Sequence, residues 1–258
     1  MNEEFVERNL AGSRFERVDL TDSTFTHVDL SGARLWDVYL RGATIRNAYL
    51  KDLDISGEID HLTINGVDVG PLIAAELDRL HPERVALRPR HAAGCRAAWT
   101  LVDELWAPTL AQARELDPEL LHESVDGEWS FIETIRHLAF ATDAWIGRVL
   151  LGNPSPWHPL DLPHDEMPDI PGVPRDRDVR PSLEEALSLR ADRRALVSRV
   201  LDDLTDDRLD EVTEPVPEPG YPPSTSFSVR EVLHVVLDEE WAHRRYAERD
   251  LYVLTARS

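Results

Sequence analysis

From Phe5 onward an apolar residue returns at every fifth position: Phe5, Leu10, Phe15, Leu20, Phe25, Leu30, Leu35, Leu40, Ile45, Leu50 and Ile55, eleven positions without a gap. Two places before most of them stands a small or β-branched residue, namely Ser13, Val18, Ser23, Val28, Ala33, Val38, Ala43 and Ala48. A period of five fits neither the 3.6 of a helix nor the 2 of a strand, and a strict short period marks a solenoid whose units stack on one another. Both sets are therefore expected to point inward, with Leu30, Leu35 and Leu40 buried in the solenoid. The period ends before Asn65-Gly66 and Gly70-Pro71, after which Leu72 to Leu80 reads as a short helix stopped by His81-Pro82. The expected organisation is a repeat domain over 1–70, a helical linker over 71–91 and a further domain over 92–258.

In that last region the apolar spacing turns helical. Ser is followed three residues later by Glu at the head of an apolar-periodic run three times, at Ser130 with Glu133, Ser182 with Glu185 and Ser228 with Glu231. Each pair reads as a capping box, in which the Ser side chain and the Glu side chain satisfy each other's free backbone N–H groups. These boxes predict helices near 130–150, 182–203 and 228–249, and an earlier run predicts one over 92–115. Four such helices make a four-helix bundle. Residues 152–181 hold eight prolines and cannot continue a helix, so they form a long connection. Its Trp157, His158 and His164 are candidates for lining a site, beside the plainer reading of a surface crossover.

Charge narrows the function classes. The chain carries 28 Lys+Arg against 49 Asp+Glu, a net charge of -21, which repels a phosphate backbone and argues against nucleic-acid binding. Residues 1–70 hold 13 acidic and 7 basic residues, and the remainder 36 and 21, so the acidity is not concentrated on the repeat. No apolar run approaches the roughly 20 residues of a membrane span, and MNEEFVERNL has neither a basic nor an apolar leader segment. A soluble, cytoplasmic protein is expected. Cys95 is the single cysteine, which excludes an internal disulfide and any thiolate metal cluster within one chain.

The chemistry concentrates on two helices. In the second, Glu133, Thr134, His137, Ala141 and Ala144 share a face, and the alanines leave room beside the imidazole. In the fourth, Glu239 and His243 lie four apart and project together among Val232, Val235, Val236, Ala242 and Tyr246. An ionised Glu among valines is costly unless a cation pairs it, and two His with one Glu is the ligand set of catalytic zinc, whose fourth position is left to water or substrate. The same spacing is also that of an ordinary solvated pair. His234 lies half a helical rotation from His243, and Glu240 is the neighbouring alternative to Glu239.

Two resemblances follow from these residues. The five-residue repeat over roughly 3–59 resembles the pentapeptide-repeat family, which implies a short four-sided right-handed β-helix of fewer than three turns. Here such a module is expected to serve packing or homo-oligomer formation, with partner binding the competing reading. The segment Val125-Asp126-Gly127-Glu128-Trp129-Ser130 leading to His137, with HVVLDEEWAHRRYAERDL from His234, resembles the DinB-like four-helix metalloproteins, especially their mycothiol-dependent branch, over about residues 92–254. The fold class implied is α+β in two domains, a pentapeptide β-helix followed by a DinB-like bundle. The resemblance also implies metal ligands at His137, Glu239 and His243. Many relatives carry His where Glu239 stands, whereas the maleylpyruvate isomerases of the mycothiol branch use Glu.

What the resemblance implies for function is a divalent metal, Zn²⁺ first and Ni²⁺ second, and a transferase or isomerase that uses mycothiol or another small thiol against an electrophilic small molecule. Such a protein needs no catalytic cysteine of its own, and Cys95, near the start of the first helix and far in sequence from the ligands, reads as an inert small residue. The competing readings are a metal-dependent hydrolase and a non-enzymatic partner-binding protein whose metal site is structural or vacant.

Overall fold

The computed structural model describes residues 4–36, 38–57, 59–165 and 167–257. The chain divides into two compact units, residues 1–57 and 58–258.

In the first unit the five-residue period is written into the backbone. Left-handed φ angles recur at Glu7 (52°), Gly12 (77°), Arg17 (53°), Asp22 (60°), His27 (53°), Gly32 (73°), Gly42 (69°), Asn47 (54°) and Asp52 (54°). Hydrogen-bonded turns close every ten residues, from Ser13 N–H to Leu10 O, Ser23 to Leu20, Ala33 to Leu30 and Ala43 to Leu40. Asn9, Asp19 and Asp29 start the first three by accepting the N–H two residues ahead at 2.9–3.0 Å, the local Asx bond that these side chains favour.

The expected closed β-helix is not formed. The described residues of this unit contain no strand, and the eleven apolar side chains stay 43% to 70% exposed. Leu30, Leu35 and Leu40, expected inside, are 58%, 60% and 60% exposed. A solenoid interior is covered only by neighbouring coils, and a stack of fewer than three coils leaves two of them as ends. Among the described residues the bonded turns come at every second repeat only, so the chain repeats its local geometry without the ladder that would close a core.

The second unit begins with a two-residue hairpin, β1 (Thr63–Ile64) and β2 (Val67–Asp68), paired antiparallel as Thr63 with Asp68 and Ile64 with Val67. Its turn is Asn65-Gly66, both at positive φ (49° and 81°), the pairing that hairpin turns demand. Helices α1 (Gly70–Leu80) and α2 (Glu83–Ala86) follow. Helix α2 is tied to the bundle, since Glu83 accepts from the Trp241 indole at 3.3 Å and the Arg84 guanidinium lies 5.0 Å from the same ring, and Arg84 in turn holds Asp78 of α1 at 2.7 Å.

The bundle consists of α3 (Ala92–Glu115), α4 (Phe131–Thr142), α5 (Leu183–Asp202) and α6 (Val229–Thr255). All three Ser–Glu pairs form reciprocal capping boxes in the structure, each contributing about 1 kcal/mol. Helix α4 continues without a break into a π-helical stretch, Asp143–Leu150. Gly147 in that stretch faces Pro156, whose Cβ would lie 2.8 Å from any added Cβ, so the connection packs directly on the backbone there. Helix α4 packs against α5 and α6, and α3 packs against the same two from the other side of the bundle. One core runs through them, from Trp99, Val102 and Trp106 on α3 to Ile132 and Ile135 on α4, Val197 on α5, and Val232, Val236 and Leu251 on α6. No helix among the described residues is long and apolar enough to cross a membrane.

Candidate metal centre

Helices α4 and α6 bring their polar residues to one point. His137, Glu239 and His243 each offer one ligand atom, and these atoms all lie within 4.8 Å of one another. His243 Nε2 is 3.0 Å from Glu239 Oε2, and His137 Nε2 is 3.5 Å from the same oxygen. Ligand atoms about 2.0–2.2 Å from a tetrahedral Zn²⁺ stand roughly 3.3–3.5 Å apart, so the spacing suits a small divalent cation.

The tautomer is set from behind. His137 Nδ1 lies 2.9 Å from the carbonyl oxygen of Leu162, so this nitrogen carries the proton and donates it. The Nε2 lone pair is then left facing Glu239 and His243. A ligating histidine held through its second nitrogen by a backbone carbonyl is the usual outer arrangement of a metal site.

Electrostatics agree with that donor set. Burial pushes the His137 pKa below its ordinary value, with the neighbouring Glu239 carboxylate opposing, and so favours the neutral ring. Burial would raise the Glu239 carboxyl, but the two imidazoles beside its Oε2 outweigh it and leave the group well below the ordinary carboxylate range. One anionic and one neutral ligand therefore stand ready without losing a proton. His137 is 7% exposed in its side chain, His243 17% and Glu239 30%, so the cluster opens to solvent from the Glu239 side.

The remaining sequence candidates lie elsewhere. His234 points away from the cluster and bonds through Nε2 to Pro89 O at 2.8 Å. Glu240 is buried on the other side of α6, 2.5 Å from Arg190 Nη2 and 3.4 Å from Arg194 Nη1. Trp157 stacks on Phe140 at 5.5 Å, and Phe140 in turn lies 6.0 Å from His137, so one ring separates Trp157 from the cluster. His164 packs edge-on against Tyr221 at 4.9 Å. His158 sits where its backbone N–H reaches Asp161 Oδ2 at 2.8 Å. Cys95 is buried in the bundle core and absent from the cluster.

Two participants are not evident from side-chain spacing. The Leu162 carbonyl is a backbone group, invisible in residue identity. Trp129, immediately before the Ser130 cap, lies 4.5 Å from His137 and stacks nearly parallel on His243, with planes 10° apart and centroids at 5.8 Å. The only local signal for it is a large aromatic just ahead of a capping box, where such a side chain folds back onto the helix.

With the fold and cluster in place, the comparisons define the class. The DinB superfamily model matches residues 101–247, more than half of the chain and all three clustered side chains, and the chain belongs to the DinB superfamily. Pentapeptide repeats match in eight copies over 5–37 and 25–57. No curated protein and no solved structure matches the chain. Family membership and the triad together fit the binding of a divalent metal.

Proposed function

We propose that His137, Glu239 and His243 hold one divalent metal ion, Zn²⁺ before Ni²⁺, and that the protein is a transferase or isomerase bringing a low-molecular-weight thiol, mycothiol or a relative of it, to an electrophilic small molecule. The observation that carries this reading is the convergence of two imidazoles and one carboxylate within 4.8 Å on two helices, with no fourth side-chain ligand grouped with them among the described residues. Three protein ligands leave a coordination position for a small molecule, the arrangement of catalytic rather than structural zinc.

When bound, such an ion lowers the pKa of a thiol or water that enters the open position and so supplies a nucleophile at neutral pH. The chain contributes the rest. Leu162 keeps the His137 proton on Nδ1 and the Nε2 lone pair forward. Glu239 stays ionised and supplies the one negative charge. Trp129 covers the two imidazoles and keeps water from that side. The sulfur is not the protein's own, because Cys95 is buried in the core, where desolvation pushes its thiol up and keeps it protonated. A cytoplasmic setting, where small thiols are kept reduced, belongs to the same reading.

Cobalt substitution tests it. Adding mycothiol to the Co²⁺ protein should produce an intense near-ultraviolet sulfur-to-metal charge-transfer band, and Cys95→Ala should leave that band unchanged. No band with mycothiol or any other small cellular thiol would sink the thiol-transferase reading. Turnover of esters or amides without thiol would then place the protein with hydrolases, and a metal-loaded protein inert in both assays would place it with partner-binding modules.

A further inference from the structure

We infer that Arg136 is the positioning residue of the centre, acting on His137 through the loop that follows the π-helical stretch; this rests on the metal-site reading above. Arg136 and His137 are consecutive on α4, leave the helix in different directions, and end on the same loop segment. His137 bonds to Leu162 O at 2.9 Å. Arg136 Nε bonds to Leu160 O at 2.7 Å, two residues earlier. The same guanidinium reaches further along the loop, with Nη1 to Val179 O at 3.1 Å and Nη2 to Asp176 O at 2.5 Å.

The environment makes this an expensive arrangement for a loop. Arg136 is 1% exposed, and Asp161 and Leu162 are 0% exposed. Loops ordinarily run on the surface, because a buried backbone must find partners for its polar groups. Here one guanidinium supplies them, with its planar fork holding three carbonyls in fixed directions. The carbonyl of Leu162 is thereby held where the His137 ring needs it, and the ring's rotation and tautomer follow. Without Arg136 the segment has to move or take up water at Leu160, and the Leu162 carbonyl moves with it.

The structure contains its own control. Arg148, on the π-helical continuation of the same helix, is equally buried at 1% and also holds loop carbonyls, with Nη1 to Pro154 O at 3.2 Å and Nη2 to Val216 O at 3.1 Å and to Glu218 O. None of these carbonyls bonds to His137, Glu239 or His243. Both arginines staple backbone carbonyls, Arg148 at the start of this loop and in the segment of Val216, and only Arg136 holds one within two residues of the carbonyl that orients a ligand.

The experiment compares full-length Arg136→Leu, Arg136→Lys and Arg148→Leu with wild type in two readouts. The first needs no metal: the ¹⁵N–¹H imidazole spectrum should show a protected Nδ1–H proton on His137 in wild type and Arg148→Leu and lose it in Arg136→Leu. The second is Co²⁺ affinity, which should fall 10- to 100-fold in Arg136→Leu, the usual effect of losing an outer partner, and stay near wild type in Arg148→Leu. Should Arg136→Leu fail to fold, Arg136→Lys, which keeps the charge but can serve one carbonyl well, should show an intermediate loss in both. A retained Nδ1–H signal in the Arg136 variants, or equal losses at Arg136 and Arg148, would overturn the inference. If wild type shows the Nδ1–H signal, Arg136→Leu loses it, and no protein binds Co²⁺, the positioning stands and the metal reading fails.

Discussion

Asp143 and Asp161 place two buried carboxyl groups against one guanidinium. Asp143 takes three bonds from Arg193, Nε at 2.9 and 3.0 Å and Nη2 at 2.6 Å. Asp161 Oδ2 accepts only the His158 N–H, Oδ1 receives no N–H or O–H donor, and the two carboxyl groups hydrogen-bond to each other. Two carboxyls can share a hydrogen bond only if one keeps a proton. Burial first, and then the Asp143 charge, push Asp161 up to about 8. The pair fastens the loop of Leu162 to the start of the π-helical stretch on α4.

The sign of the pH dependence follows. The folded state retains a proton that the unfolded chain gives up above the ordinary value of 3.8. The stability this proton confers is therefore complete below that value and is lost as pH rises toward about 8. One such proton gives a slope of at most about 1.4 kcal/mol per pH unit. Asp161→Asn supplies a permanent donor to Asp143, so its stability relative to wild type should rise between pH 5 and 8 in urea melts. Parallel curves for the two proteins would show that no proton is shared.

Glu239 and Glu240 are chain neighbours with opposite expected phenotypes. Glu239→Gln should abolish metal binding at little cost in stability, because its carboxylate is partly open to solvent. Glu240→Gln should leave metal content intact and destabilise by about 3 kcal/mol, the effect of breaking a buried ion pair with Arg190. Paired denaturation and metal analysis check both, and an exchange of the two outcomes would mean that the register of α6 is wrong.

Trp129 should report the centre optically. Its ring lies within 6 Å of both imidazoles, at 4.5 and 5.8 Å, so Ni²⁺ or Co²⁺ bound there should quench its emission. Trp129→Phe should remove most of the metal-dependent quenching among the seven tryptophans while keeping affinity within a few-fold, since a stacked ring is retained. Undiminished quenching in that variant would place the ion elsewhere.

The two units should separate. A chain of residues 58–258 contains the core and all three clustered side chains, and it should keep the helical spectrum and the metal of the full protein. Loss of either would show that the repeat unit is needed for the bundle to fold.

The helices were legible because their signals are local. Ser130, Ser182 and Ser228 each announce a cap three residues from its Glu, and the i, i+4 spacing of Glu239 and His243 already commits both to one face. Helix α6 runs on to Thr255, six residues past the expected end, with Leu251 and Leu254 still buried in the core. The centre's outer parts were not legible, since Leu162 acts through a backbone carbonyl and Asp161 meets Asp143 only after the chain has returned across the bundle. The period-five pattern read the local geometry of the first unit correctly and its burial wrongly. Periodicity states which side chains share a face, and whether another coil covers that face is a property of the stack.

Metal content of the purified protein decides the central claim. Elemental analysis of wild type, His137→Ala, Glu239→Ala and His243→Ala, each confirmed folded by its helical spectrum, should find about one equivalent of a divalent transition metal in wild type and almost none in the three variants, as a three-ligand site requires. Full occupancy in folded His137→Ala and His243→Ala would contradict the account and send the search to His234 and the histidines of the loop 152–181.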